Sequence, residues 1–485
     1  MTVPTCKQLI NGKWQESTSG NILPVTNPST GETIAQVPLC DQSEVDKAVQ
    51  AALAAFPAWA KTPPQARTQI LFRYKHLLDA HFDELYRLVT REHGKTLAEA
   101  KGSVRRGIEV VDLACGIPML IKGETLSETG GSVDYMSERF PLGVCAGITP
   151  FNFPAMIPLW MFPIALACGN TFILKPSEQT PLTAIRLVEL LVEAGIPDGV
   201  MNLIHGARDA VNALLTHPHI RAISFVGSTP VARYIYQTGA ANGKRVQSAG
   251  GAKNHFIVMP DAPVDAVIEA INASAFGCAG ERCMAGSTLL TVPGATERIL
   301  EPLREAAAAM KVGPTDSDES VDMGPVISKP HLEKIHGYLA QSEKEGAKLI
   351  LDGRHVNVES APNGYYIAPT LVDGVNPQSG IIKEEVFGPV LGILRMNSLD
   401  EAIEQMNQSP FGNAGVIFTD SGKAARQFRR EVRCGMIGIN VGVPAPMASF
   451  SFTGWNDSFF GDLHIQGTEG IAFYTQQKVT ITRWF

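Results

Sequence analysis

Two side chains stand out in this chain for the chemistry that their setting allows: a thiol beside an arginine, and an isolated amide in an apolar stretch. The run from Ala273 to Ser287, ASAFGCAGERCMAGS, is small and glycine-rich and sets Cys283 directly after Arg282. A free thiol ionises near pH 8.5, and an adjacent cation or helix dipole lowers that value. A cysteine so placed can attack a carbonyl carbon. On composition alone a cysteine in such a run is more often a small buried residue, and Cys278, which follows an apolar helical run, reads as a packing residue. Asn152 lies in Phe151-Asn152-Phe153-Pro154. An amide in such a stretch is costly unless its hydrogen bonds are used. Its NH2 group can donate to a developing oxyanion or satisfy the backbone of a turn.

Other chemistries are removed by what is missing. No two glycines are spaced i, i+2, so the G-x-G-x-x-G dinucleotide fingerprint is absent. Gly94-Lys95-Thr96 ends like a phosphate loop, but Val89 stands where that loop needs its first glycine. There is no H-E-x-x-H, and His217-Pro218-His219 reads as a surface turn, so no metal site is expected. The 8 cysteines are scattered and form no CxxC pair, which argues against a disulfide scaffold and for a reducing cytoplasm. Met1–Trp14 lacks a basic region followed by an apolar one, so no signal peptide is expected. The net charge of −7 gives no reason to expect a nucleic-acid partner.

These groups need a scaffold to hold them. A chain of 485 residues with 45% hydrophobic and 18% charged residues is globular and long enough for two or three domains. Glu44–Ala60, Ala66–Glu92 and Thr96–Cys115 show the helical period and read as helices. Short apolar runs then alternate with helical ones: Gly143–Ile148, Thr171–Leu174, Gly199–Ile204 and Ala222–Val226. That alternation implies a parallel, doubly wound sheet. A second strand–helix series from His255 to Phe418 implies a second α/β domain. Ser127–Glu138 and the tail Gly470–Trp484 read as extended ribbon, whose exposed edge seeks a partner sheet. Phe140–Leu174 carries no Asp, Glu, Lys, Arg or His and is long enough to span a bilayer. Pro150, Pro154, Pro158 and Pro163 break it, so it is expected to be buried protein interior and not a membrane span.

Several segments in this order resemble the aldehyde dehydrogenase superfamily: Ile148–Pro154 (ITPFNFP), Gly169–Glu178 (GNTFILKPSE), Phe225–Thr229 (FVGST), Gly280–Cys283 (GERC) and Glu384–Val390 (EEVFGPV). The resemblance implies a Rossmann-variant NAD domain, an α/β catalytic domain and a β-ribbon oligomerisation segment. It divides the chain into residues 1–122 and 141–247 for NAD, 248–440 for catalysis, and 123–140 with 465–485 for the ribbon. It implies Cys283 as nucleophile and Asn152, with the Cys283 main-chain N–H, as oxyanion donors. It implies NAD contacts at Thr149, Phe151, Lys175, Glu178, Ser228, Glu385 and Phe387, and a homo-oligomer, dimer or tetramer.

One departure carries information. Hydrolytic members have a glutamate in Glu-Leu-Gly-Gly-Lys that activates water, whereas here the stretch Gln247–His255 reads QSAGGAKNH, without a carboxylate. A thiol is then the better second nucleophile, because a useful thiolate fraction exists near neutral pH. The stretches GAKNH, MIPLWMFP (156–163), GVPAPM (442–447) and the GW and SFFG of 454–461 resemble the branch that oxidises methylmalonate or malonate semialdehyde and acylates coenzyme A. That branch loses CO2 and yields propionyl- or acetyl-CoA. A substrate carboxylate needs a planar cationic clamp, and the resemblance implies Arg106 and Arg282 for it. Arg105 reads as a solvated helix face. A hydrolytic enzyme using another base, and a catalytically silent member of the fold, are the alternatives.

Overall fold

Two largely parallel sheets meet at the segments that hold Asn152 and Cys283. The computed structural model describes residues 3–485, so Met1 and Thr2 of the Met1–Trp14 segment lie outside the described residues. The first sheet has 8 strands. Its centre runs, in spatial order, Met201–Leu203, Thr171–Lys175, Val144–Ile148, Ile220–Val226 and Arg245–Ala249, all parallel. The four apolar runs read from the sequence are four of these five strands. They are buried on both faces because helices cover both, as a parallel sheet requires.

The charge-free stretch becomes the strand Val144–Ile148, a loop through Asn152, the helix Met156–Ala167 and the strand Thr171–Lys175. The helix is buried all round and packs against Leu97–Cys115, which brings Arg106 over its start. Among the described residues no helix is long and apolar enough to cross a membrane.

The second sheet has 7 strands, in the order Lys348–Leu351, Thr370–Asp373, Val390–Arg395, Gly286–Thr291, Asn254–Val258, Ala414–Phe418 and Met436–Ile439. Only Lys348–Leu351 is antiparallel to its neighbour. The third unit is a ribbon. Thr475–Arg483 pairs antiparallel along Val133–Pro141, which also pairs with Thr125–Leu126.

Three elements differ from the sequence reading. Ala66–Glu92 is two helices, Pro64–Ala80 and Phe82–His93. The break is at His81, whose φ of −100° and ψ of 19° leave helical geometry although its main-chain bonds to Leu77 and Leu85 are kept. The tail is not extended throughout, because Gly467–Phe473 forms a helix with Phe473 and Tyr474 buried. Its strand starts only at Thr475. The first sheet also gains Gln8–Ile10 and Lys13–Gln15 at one edge and Phe459–Phe460 at the other. The first two form a hairpin through Asn11-Gly12, both at positive φ, which is what a two-residue turn of this kind demands.

Candidate active site

The helix Val264–Ala275 ends in a tight loop that delivers Cys283. Cys278, Ala279 and Gly280 are consecutive left-handed residues, with φ of 50°, 52° and 71°. Each non-glycine residue there costs about 1–2 kcal/mol. A Cβ at Gly280 would overlap the Gly388 carbonyl oxygen, so glycine is required at that position. The strain is held by Glu99, whose Oε1 accepts the Cys278 N–H at 2.6 Å and the Arg282 guanidinium at 3.1 Å. Farther on, the Cys283 carbonyl accepts the side-chain amides of Asn254 and Asn413, each at 2.8 Å.

Of the eight cysteines, Cys283 alone is not fully buried. It is the shared wall of two cavities. The first, about 340 Å³, is lined by Arg106, Phe153, Trp160, Arg282, Cys283 and Phe452, among others. The second, about 540 Å³, is lined by Phe151, Asn152, Ser228, Cys283, Glu385 and Phe387, among others. Burial pushes the Cys283 thiol up to about 12, the neighbouring Glu385 carboxylate adds to this, and Arg282 opposes it.

Asn152 is buried and donates its amide to the Glu281 main-chain carbonyl at 3.1 Å, which ties it to the thiol loop. Phe151 meets Phe387 edge-on, with ring centroids 5.8 Å apart. Phe387 is itself left-handed, at φ 60°, and its carbonyl accepts His331 Nε2 at 2.7 Å. Glu385 Oε1 accepts the Ala252 N–H at 2.9 Å, and burial pushes its carboxyl up to about 7.

Ser228 caps the helix Thr229–Ala241, whose side chain forms no capping hydrogen bond. Gly227, Ser228, Thr229 and Pro230 border the second cavity; the Gly227 N–H is held by Ala249 O and Pro230 has none, so the Ser228 and Thr229 N–H groups and a positive dipole end meet there. This is a fit for a diphosphate. Thr149, Lys175 and Glu178 lie outside that cavity wall. The Thr149 N–H bonds the Lys175 carbonyl at 3.1 Å, and the Lys175 ammonium is held by Gly206 O at 2.7 Å and Glu178 at 3.4 Å.

The two arginines differ. Arg106 is half-exposed and meets Glu109 at 3.0 Å, with both on the first cavity. Arg282 is mostly buried, and its guanidinium is shared with Glu99 and the Ala273 carbonyl. Arg105 turns away to Asp79 at 2.8 Å. Sequence reading missed Glu99, Asn254 and Asn413. Only Asn254 left a trace, as a polar residue opening a strand that is buried throughout.

A sequence model of the aldehyde dehydrogenase family matches residues 14–480. The chain belongs to the aldehyde dehydrogenase family. It is 51% identical to malonate-semialdehyde dehydrogenase of Halalkalibacterium halodurans over 478 residues, 99% of this chain and 98% of that one. It is 52% identical to malonate-semialdehyde dehydrogenase 2 of Geobacillus kaustophilus over 482 residues, 99% of both chains. The crystal structure of methylmalonate-semialdehyde dehydrogenase from Oceanimonas doudoroffii superimposes with a TM-score of 0.97 at 46% identity, covering 99% of this chain and 98% of that one. A Sinorhizobium meliloti protein assigned the same activity, complexed with NAD, gives a TM-score of 0.98 at 45% identity over 100% of this chain and 98% of its own. The chain thus has the dehydrogenase fold with a two-cavity centre and Cys283 between the two.

Proposed function

We propose that this aldehyde dehydrogenase oxidises malonate or methylmalonate semialdehyde with NAD and transfers the acyl group to coenzyme A. The observation that carries the reading is Cys283 as the shared wall of the two cavities. The first holds the aldehyde and the second the cofactor. Arg106 and Arg282 border the first and suit a substrate carboxylate.

The Cys283 sulfur attacks the aldehyde carbon, giving a thiohemiacetal whose oxyanion is met by the Asn152 amide and the Cys283 N–H. NAD, when bound, supplies the hydride acceptor. Gly227–Pro230 fit its diphosphate, and Glu385 and Phe387 border the side nearer Cys283. Thr149, Lys175 and Glu178 suit the adenosine end, and Phe151 the nicotinamide side. Oxidation leaves a thioester on Cys283. Its β-carboxylate leaves as CO2, because the thioester carbonyl takes the electron pair as an enolate, which is then protonated. The thiolate of coenzyme A attacks the thioester carbonyl and expels the Cys283 thiolate.

Support for a thiol acceptor over water comes from the carboxylates at the cavities. Glu99 is engaged by Arg282, Glu109 by Arg106 and Glu384 by the Tyr338 hydroxyl. Glu385, with its carboxyl near 7 and close to Cys283, is the one group that favours a hydrolytic reading. NADH formation from malonate semialdehyde with and without coenzyme A decides between them. Without it, one equivalent of NADH forms and turnover stops. Equal steady-state turnover, with free acid as product, overturns the proposal.

We further propose the division into a NAD domain (1–122 and 141–247), a catalytic domain (248–440) and an oligomerising ribbon (123–140 and 465–485). The ribbon makes the enzyme a homo-oligomer, and the cytoplasm is its compartment.

A further inference from the structure

Two buried groups behind the cavities converge on Asn152. Lys95 is 1% exposed and donates its Nζ to the Asn152 main-chain carbonyl at 2.7 Å. The same ammonium lies 3.9 Å from the centre of the Phe153 ring. A buried ammonium is a costly way to fill space, and an apolar side chain would cost less. On the other side, the Asn152 amide donates to the Glu281 carbonyl. A carbonyl only accepts, so this contact fixes which end of the amide is NH2. One amide hydrogen is used there and the other is left.

Glu281 is itself fully buried. Its Oε1 accepts the Ile327 N–H at 3.1 Å. Its carboxyl stands 3.8 Å from His93 Nε2 and 3.6 Å from His331 Nε2. The His93 ring stacks on Phe151, and His331 holds the Phe387 carbonyl. The Glu281 side chain is thus wedged behind both aromatic walls of the second cavity, and its peptide orients Asn152.

We propose that Lys95 and Glu281 are positioning residues for the oxyanion donor. Lys95 anchors the Asn152 main chain, the Glu281 peptide orients its amide, and the wedged Glu281 side chain keeps that peptide in place. The proposal rests on the reading of Asn152 as oxyanion donor, and the test separates the two.

The test is the single-turnover rate of NADH formation by the full chain with saturating NAD and malonate semialdehyde. Asn152→Ala lowers it about 100-fold or more. Lys95→Met lowers it about 10- to 100-fold, with KM for the aldehyde within about threefold of the parent. The double variant is no slower than Asn152→Ala alone, because Lys95 acts only through Asn152. A parental rate in Lys95→Met, or losses that multiply in the double variant, overturns the positioning role. A parental rate in Asn152→Ala instead removes the oxyanion reading, and the proposal with it. Should Lys95→Met fail to fold, Glu281 gives the second arm. Glu281→Gln keeps an acceptor for the Ile327 N–H and recovers most of the rate lost in Glu281→Leu. Equal losses in the two overturn the proposal.

Discussion

Asn254 donates its side-chain amide to the main-chain carbonyl of Cys283 at 2.8 Å. The same amide reaches Ala285 O at 2.9 Å, and Asn254 Oδ1 accepts the Ala414 N–H at 3.0 Å. One buried side chain thereby fastens the thiol loop to two strands of the second sheet. Replacing it by leucine leaves the Ala414 N–H unpaired and the loop carbonyls short of a donor. Asn254→Leu is expected to cost about 1–3 kcal/mol of stability, read by urea denaturation, and to slow the NADH burst. Parental stability together with a parental burst would contradict the fastening role.

Arg106 and Arg282 border the same cavity but are expected to fail differently. Arg106 is half-exposed with one ion-pair partner, so Arg106→Gln changes stability by no more than about 0.5 kcal/mol. It raises KM for malonate semialdehyde at least tenfold over its effect on propanal, which has no carboxylate to clamp. Arg282→Gln shows the same selectivity and in addition loses about 3 kcal/mol, because it strands Glu99 beneath the left-handed turn. An equal effect of Arg106→Gln on both aldehydes would remove it from the substrate site.

Much of this centre was legible because its residue types are rare in their setting. Cys283 in a glycine-rich run and Asn152 in a charge-free stretch both advertised themselves. The apolar runs of the first sheet were equally clear, because buried parallel strands leave no alternation to misread. The supports were not legible. Glu99 lies 183 residues from Arg282, and Asn413 lies 130 from Cys283, so only folding joins them. The Arg282–Glu99 pair matters most here, since from sequence Arg282 looked like a free cation. The helix Gly467–Phe473 was misread as ribbon because short, glycine-containing segments carry too few turns to show a period.

The Cys283 thiol sits near 12, so its thiolate is scarce at neutral pH and alkylation of the free enzyme is slow. The other seven cysteines are buried, so iodoacetamide reports on Cys283. Alkylation follows the thiolate and rises roughly tenfold per pH unit well below the thiol pKa. Glu385 ionises through about 7, and its new negative charge opposes thiolate formation. The rise between pH 6 and 8 is therefore shallower than it is between pH 8 and 10. Glu385→Gln removes that inflection and reacts faster at pH 8. An unchanged profile would show that the carboxylate does not reach the thiol.

The ribbon carries a row that a lone chain leaves in water. Leu126 stands opposite Tyr135, and Tyr135 opposite Ile481, so the three share one face, and Val479 joins it two residues from Ile481. Leu126, Val479 and Ile481 are 58–63% exposed, and Tyr135 is 40% exposed. A contiguous apolar row on an edge ribbon marks a contact surface. Ile481→Asp places a charge in the middle of it, where burial against a partner would leave that charge unpaired. Sedimentation velocity is expected to show the parent as a dimer or tetramer and Ile481→Asp as a smaller species. An oligomer that dissociates as it unfolds melts at a temperature that depends on protein concentration, and Ile481→Asp should weaken that dependence. An unchanged sedimentation coefficient would place the subunit contact elsewhere.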